Sequence, residues 1–234
     1  MKKPFSRQPL HFFQLIAYVG VMILFALAAQ GVTAWPPLDD VIVKIQESYE
    51  NTQDFEADFL QEVTLKAMKR TAREEGTVYF KKPKMMLWHY TRPANKKMII
   101  NPQKTWLYLP EDRIAYLQPA TQFAPSQLGI RFLTGLGNLQ NDFDVSYTEP
   151  HPVDSQGNYL ITLIPRDLRA GIAKFFLTVD GQHFRIIQCR FADPYGNTTL
   201  LRLKNIKINN NLPESLFSFT PPLGVEVMSV PFQN

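Results

Sequence analysis

Between residues 75 and 116 the chain passes through short segments with apolar residues at consecutive positions. These are Thr77-Val78-Tyr79-Phe80, Met86-Leu87-Trp88-His89-Tyr90, Met98-Ile99-Ile100 and Trp106-Leu107-Tyr108-Leu109, separated by polar or Pro-containing turns. The pattern predicts antiparallel strands that are apolar on both faces. An antiparallel sheet ordinarily keeps one face on a core and the other in water, so two apolar faces ask for two covers: helices on one, and room for a ligand on the other. Further strands are predicted at 59–65, 114–117, 143–148, 159–164, 173–179, 184–191 and 198–208, with a two-residue hairpin at Asp180-Gly181 and a turn at Tyr195-Gly196-Asn197. About eleven strands are enough to curl into a barrel or deep half-barrel with a hollow interior.

Helical periodicity is confined to two places. Residues 37–50 put Leu38, Val41, Ile42, Ile45 and Tyr49 on one stripe, with Asp39 and Asp40 in the first turn, where the helix dipole favours acids, and Asn51 as a stop. This helix is expected to lie on the sheet. A weaker helix is predicted at 126–139 from Leu128, Phe132, Leu133 and Leu136, but Gly129, Gly135 and Gly137 each cost about 1 kcal/mol of helix stability. Such a segment is suited to a lid that moves.

The N-terminus changes the picture of charge and compartment. Lys2, Lys3 and Arg7 precede an apolar run from Leu15 to Ala29, and Val32-Thr33-Ala34 supplies small residues at the spacing a signal peptidase reads. Fifteen residues fall short of the roughly 20 that span a bilayer. Residues 1–34 are therefore expected to be a cleaved export signal, and residues 35–234 one β-rich domain working in a periplasm of the Gram-negative type. Of the 25 basic and 21 acidic residues, three basic ones lie in that leader; 22 against 21 remain, a net +1. The basic balance thus gives no case for nucleic-acid binding. The single cysteine, Cys189, lies in an apolar stretch and predicts a buried thiol without a disulfide. No cysteine stands near the cleavage point, so the exported product is expected to be unlipidated at its N-terminus and soluble.

Candidate chemistry is sparse. His89, His151 and His183 have no cysteine or evident acidic partner beside them in sequence, and HExxH, GxSxG, Gly-Lys-Ser/Thr and Cys-x-x-Cys motifs are absent. Adjacent strand residues point to opposite faces, so Glu74-Glu75 is read as a solvated turn, not as a catalytic pair. Lys81, Lys82 and Lys84 are read as solvated strand-end charges. The expectation is a protein that is not an enzyme and uses no cofactor or metal.

Several segments taken together are similar to a known family. Asp54-Phe55-Glu56-Ala57-Asp58-Phe59-Leu60-Gln61-Glu62, then Glu75-Gly76-Thr77-Val78-Tyr79-Phe80-Lys81-Lys82-Pro83, then Leu87-Trp88-His89-Tyr90-Thr91-Arg92-Pro93 and Trp106-Leu107-Tyr108 resemble the periplasmic outer-membrane lipoprotein carriers, the LolA family. Asp193-Pro194-Tyr195-Gly196-Asn197 and Phe217-Ser218-Phe219-Thr220-Pro221-Pro222-Leu223-Gly224-Val225 agree in order and spacing. The resemblance implies a mainly β (α+β) fold, an unclosed antiparallel barrel with a small helical lid over a hydrophobic cavity. It implies a monomeric carrier whose cargo is the acyl chains of lipoproteins. An ATP-driven transporter of the inner membrane would load it, and an outer-membrane acceptor would unload it.

Carried over residue by residue, the inward strand positions fall on Met86, Trp88 and Tyr90, which share one parity and hence one face. Met98, Phe55, Phe59, Ile42, Ile45 and Phe132 are further cavity candidates, each also readable as an ordinary core residue. The family usually has an arginine just before the proline of the Lys-Pro turn, holding the lid through backbone carbonyls. This chain has Lys82 there, which lacks the planar fork. Burying about a dozen methylenes at roughly 0.8 kcal/mol each would give on the order of 10 kcal/mol before ordering costs, a sub-micromolar affinity suited to a carrier. Other readings stay open: a same-fold carrier of free glycolipid or phospholipid, an envelope-stress sensor that binds lipoprotein, or a periplasmic hydrolase.

Overall fold

A computed structural model describes residues 35–120, 139–167 and 172–229, and the fold set out here is that of the unit Pro37–Asn234. Helix α1 (Leu38–Glu50) follows Pro37, carries Asp39 and Asp40 in its first turn and ends at Asn51. Its apolar stripe buries Val41, Ile42 and Ile45. The Thr52 hydroxyl donates to the Ser48 carbonyl (2.7 Å) and completes the last turn.

Two meanders make the sheet. The first runs β1 (Asp54–Leu65), β2 (Arg70–Lys81), β3 (Met85–Arg92), β4 (Lys96–Ile100), β5 (Lys104–Leu109) and β6 (Ile114–Pro119). After a four-residue helix α2 (Leu139–Asp142), the second runs β7 (Phe143–Tyr147), β8 (Tyr159–Pro165), β9 (Lys174–Val179), β10 (Ile186–Ala192) and β11 (Thr198–Ile208). Antiparallel pairing of β1 with β11 joins them, so the first and last long strands sit side by side at the centre. All eleven predicted strands are present. The twelfth, β12 (Glu226–Ser229), pairs parallel with β6 and has no counterpart in the sequence reading. The order is β12-β6-β5-β4-β3-β2-β1-β11-β10-β9-β8-β7, with β12 and β7 as the edges, and the sheet does not close.

Alternation sorts side chains onto two faces. Met86, Trp88 and Tyr90 of β3, Val78 and Phe80 of β2, and Phe55, Ala57 and Phe59 of β1 join Val41, Ile42 and Ile45 of α1 in one large core. Met85, Leu87, Ile99, Trp106 and Ala115 point the other way and form a second, smaller core. The sheet is thus apolar on both sides, as expected, but the second cover is not left to a ligand. The chain after β11 lies over it, through Leu212, Leu216, a 3-10 turn (Glu214–Phe217) that buries Phe217, and Phe219. The Phe219 ring stands 5.4 Å from Trp106 and 5.0 Å from Tyr108. The buried Asp54 carboxylate fastens this segment, accepting from the amides of Asn210 (2.7 Å) and Leu212 (3.2 Å).

Three local expectations are corrected. Asp180-Gly181 is not a two-residue hairpin: Val179 pairs with Ile186, and the left-handed residue of the longer loop is Phe184 (φ 56°). Asp180 organises it by accepting from the amides of Gln182 and His183. Gly181 is needed for close approach, since a Cβ there would overlap the Gly157 carbonyl. Glu74 and Glu75 lie within β2, not in a turn, and bind Lys96 on one side and Arg73 and Arg92 on the other. His183 does have an acidic neighbour, Asp180, at 3.2 Å in that exposed loop.

Candidate hydrophobic binding site

The site is built where α1 crosses the large core. Phe59 of β1 meets Trp88 and Tyr90 edge-on, with ring centroids 4.7 and 4.9 Å away, and Trp88 and Tyr90 stack at 6.3 Å. The Trp88 indole N–H points at the Met86 sulfur (2.7 Å), and the Tyr90 hydroxyl donates to Gln61 (3.3 Å). Burial, and secondarily Glu74, push the Tyr90 phenol well above its usual range. Met86, Trp88, Tyr90, Phe55, Phe59, Ile42 and Ile45 are buried, and Met98 is half-buried, all in this one cluster. Eight of the nine cavity candidates are therefore together on the face that α1 covers. The ninth, Phe132, lies outside the described residues, as does the predicted second helix up to residue 138.

At the C-terminal end of α1 the cover is incomplete. A hollow of about 470 Å³, counted out to its open mouth, has a floor of Phe55, Phe80, Ile186, Leu203, Ile206 and Ile208. Lys82, Arg185, Ser48, Tyr49 and Thr52 stand around it. Its enclosed part is only about 40 Å³, far below the roughly 300–1,000 Å³ of pockets that bury a small ligand, so α1 must move before one fits. Of the candidates, Phe55 lines this hollow, while Ile42 borders another of about 430 Å³ between α1 and α2. Met86, Trp88, Tyr90 and Phe59 are buried in the same core as Ile45 of α1, and none of the five lines either hollow.

Lys82 bridges the sheet and the helix. Its ammonium donates to two carbonyls in the last turn of α1, those of Glu50 (2.7 Å) and of Tyr49 (3.0 Å), which also accepts from the Thr52 amide (3.2 Å). Lys81 likewise donates to the Leu212 carbonyl on the opposite face. Reading these lysines as solvated strand-end charges is thus wrong for two of the three: each ties a cover to the sheet. Neighbouring residues on a strand point to opposite faces, which is how one dipeptide reaches both covers. Arg185 differs, because its buried Nε has no hydrogen-bond partner among the described residues.

The hollow's floor on β11 escaped the sequence reading for a definable reason. Leu201 and Leu203 share one parity, Ile206 and Ile208 the other, and all belong to the same core. An extra residue in β11 opposite Glu56 and Asp58 switches the parity. Asn205 (φ 52°) lies in that bulge and donates to the Asp58 carboxylate (2.7 Å). The asparagine within a strand pattern was the available signal.

The sequence model of a family described as "Outer membrane lipoprotein carrier protein LolA" matches residues 50–220. This chain belongs to the LolA family. Among relatives, the outer-membrane lipoprotein carrier protein of Dechloromonas aromatica is 25% identical over 185 residues, covering 79% of this chain and 86% of that one. The protein of the same name from Neisseria meningitidis serogroup B is 25% identical over 223 residues, covering 95% and 99%. The fold also resembles the crystal structure of an uncharacterized conserved protein from Thermus thermophilus, with a TM-score of 0.54, 13% identity and coverage of 82% and 98%.

The LolA-family site offers burial, with little reactive chemistry. Cys189 is a core thiol of β10 whose desolvation pushes its pKa up to about 12, far from a thiolate. Burial first, and then Cys189, raise the Tyr49 phenol against a backbone hydrogen bond at Ile186. Among the described residues no group of His, Cys, Asp and Glu could hold a metal ion, and no helix is long and apolar enough to cross a membrane.

Proposed function

We propose that this LolA-family chain is exported through cleavage of residues 1–34 and carries the acyl chains of lipoproteins across the periplasm. It takes them from an ATP-driven transporter of the inner membrane and surrenders them to an outer-membrane acceptor. The observation that carries the reading is the apolar hollow beside α1, which lies over the Met86-Trp88-Tyr90 face and is tied at its open end by Lys82. Acyl chains enter at the hollow and extend along that face as α1 is displaced. The names of the relatives support lipoprotein as cargo. Met86 and Met98 give the wall unbranched, adaptable side chains. Energy for loading comes from the transporter, and the binding step requires no covalent chemistry here.

The test is native mass spectrometry with lipid analysis of the processed protein recovered from a periplasmic extract. A triacylated lipoprotein is expected on the wild type and is lost in Ile206→Glu, with unchanged circular dichroism as the folding control. A bound glycolipid or phospholipid in its place would reassign the cargo. Absence of any lipid after incubation with solubilised lipoproteins would defeat the carrier reading.

A further inference from the structure

The β1–β2 hairpin changes character along its length. Near α1 it buries Phe55, Ala57, Phe59, Val78 and Phe80, whereas residues 65–73 at the far end are exposed throughout. Twelve residues of strand extend about 40 Å, so the tip stands well away from the α1 end. It carries Leu65 and Met68, the latter 72% exposed, beside Lys66, Lys69 and Arg70, with no acidic residue between 63 and 73.

The turn between β10 and β11 joins this tip. The Lys66 amide donates to the Asn197 side chain (3.0 Å), and the Lys66 stem passes over Gly196, where φ is +80° and a Cβ would collide with it. Asp193 fixes the turn by accepting from the amides of Tyr195 and Asn197 and from the Asn197 side chain. These bonds hold its pKa below the ordinary carboxylate range, although desolvation acts the other way. Tyr195 is thereby presented on a braced turn at 84% exposure.

We propose that these two turns form a tip that docks on an anionic lipid bilayer. Lys66, Lys69 and Arg70 sit at the phosphate level, while Leu65, Met68 and Tyr195 enter the interfacial zone. Tyrosine favours that zone because its ring is apolar and its hydroxyl wet, and each cation near an anionic leaflet strengthens partitioning about five-fold. A protein partner fits less well. Stable protein interfaces bury about 800 Å² on each side, and a protruding tip with three apolar side chains offers no such surface. The inference goes beyond the carrier reading and stands without it.

The experiment is vesicle flotation of the purified protein with phosphatidylcholine vesicles, with and without one quarter phosphatidylglycerol, at low and high salt. Binding to the anionic vesicles is expected, weakening with salt and about 100-fold weaker in Lys66→Gln/Lys69→Gln/Arg70→Gln. A second variant, Met68→Ser/Tyr195→Ser, lowers binding at both salt concentrations. All five positions are exposed, and an unchanged melting temperature shows that the fold is retained. No binding of the wild type to anionic vesicles, or equal binding by the triple variant, overturns the proposal. So does a tip variant that loses association with a membrane protein while vesicle binding is absent in the wild type.

Discussion

Removing the Lys82 ammonium should loosen α1 by an amount the structure allows to be estimated. The Lys82→Met variant keeps most of the stem and deletes two charge-assisted hydrogen bonds, to the Tyr49 carbonyl at 3.0 Å and the Glu50 carbonyl at 2.7 Å. Such bonds contribute about 1.5–3 kcal/mol each when shielded, and a cation at a helix C-terminus adds about 0.3–1 kcal/mol. The Glu50 bond is exposed, so water takes over much of its role, and a net loss of about 1–3 kcal/mol follows. Expressed as an opening equilibrium, that is roughly five- to a hundred-fold. Hydrogen exchange read by mass spectrometry on a peptide covering 38–50 measures it directly, with β8 and β9 as the internal reference. Lys82→Arg keeps the charge and both reachable carbonyls in a forked geometry, so α1 exchange should slow and cargo transfer with it. Exchange of α1 that is identical in the wild type and in Lys82→Met would refute the reasoning. It would mean that the helix's own contacts with the core hold it without Lys82.

Other outcomes follow from individual contacts. Gly76→Ala places a Cβ against the His89 carbonyl at the β2–β3 irregularity; it should destabilise by about 1–3 kcal/mol, seen as a lower urea midpoint. Phe217→Ala empties a fully buried site in the second core and should cost about 3–5 kcal/mol, while binding of an apolar probe to the α1 face persists below the melting temperature. Asp154 and Asp180 have lowered pKa values. Desolvation opposes the shift in both, and hydrogen bonds from Asn158, Gln156 and Gly157, or from His183 and Gln182, win. A carboxylate lowered by folding contributes stability above its unfolded value of about 4 and loses it as pH falls through the lower folded value. Melting temperatures should therefore drop below about pH 4, and Asp154→Asn/Asp180→Asn should flatten that fall.

What was legible followed from how local the cause is. Helix α1 was readable to within a residue because its stripe, its acidic first turn and Asn51 are all short-range signals. The eleven longer strands were readable from apolar runs between turns. β12 was not, because four residues pairing parallel at an edge carry no periodicity of their own. The cover on the second face was missed for the same reason: Leu212, Phe217 and Phe219 lie in a Pro-containing stretch whose order comes from Asp54 and Trp106, more than a hundred residues away. Lys82 was singled out only through the family resemblance, since composition alone placed it in solvent.

The two covers are built to different strengths, and that difference bears on how one sheet face could be loaded. The segment over the second face is held by the buried Asp54 carboxylate, by Lys81 at the Leu212 carbonyl, by Phe217 in a full cavity and by the parallel pairing of β12 with β6. Removing it means breaking backbone hydrogen bonds, stripping the Asp54 carboxylate of its amide donors and exposing Phe217 to water, which is costly. Helix α1 has no side-chain cap at Pro37 and no basic residue of its own in the last turn. It also carries Val41, Ile42, Val43 and Ile45, β-branched residues that lower helix propensity. Its retention rests on Val41, Ile42 and Ile45, on Leu38 and Tyr49 packed against the same core, on the Tyr49 phenol at the Ile186 backbone, on Lys44 over the Phe184 ring, and on Lys82 from the sheet. On the proposed carrier reading, acyl methylenes entering beneath it replace apolar contacts with apolar contacts, so the free energy of displacing α1 reduces largely to its polar ties, Tyr49 at the Ile186 backbone, Lys44 over Phe184 and the Lys82 bonds. On this reading a few polar ties, Lys82 foremost because it reaches the helix end from the sheet, set the threshold for opening, and the rest of the fold stays closed while it happens.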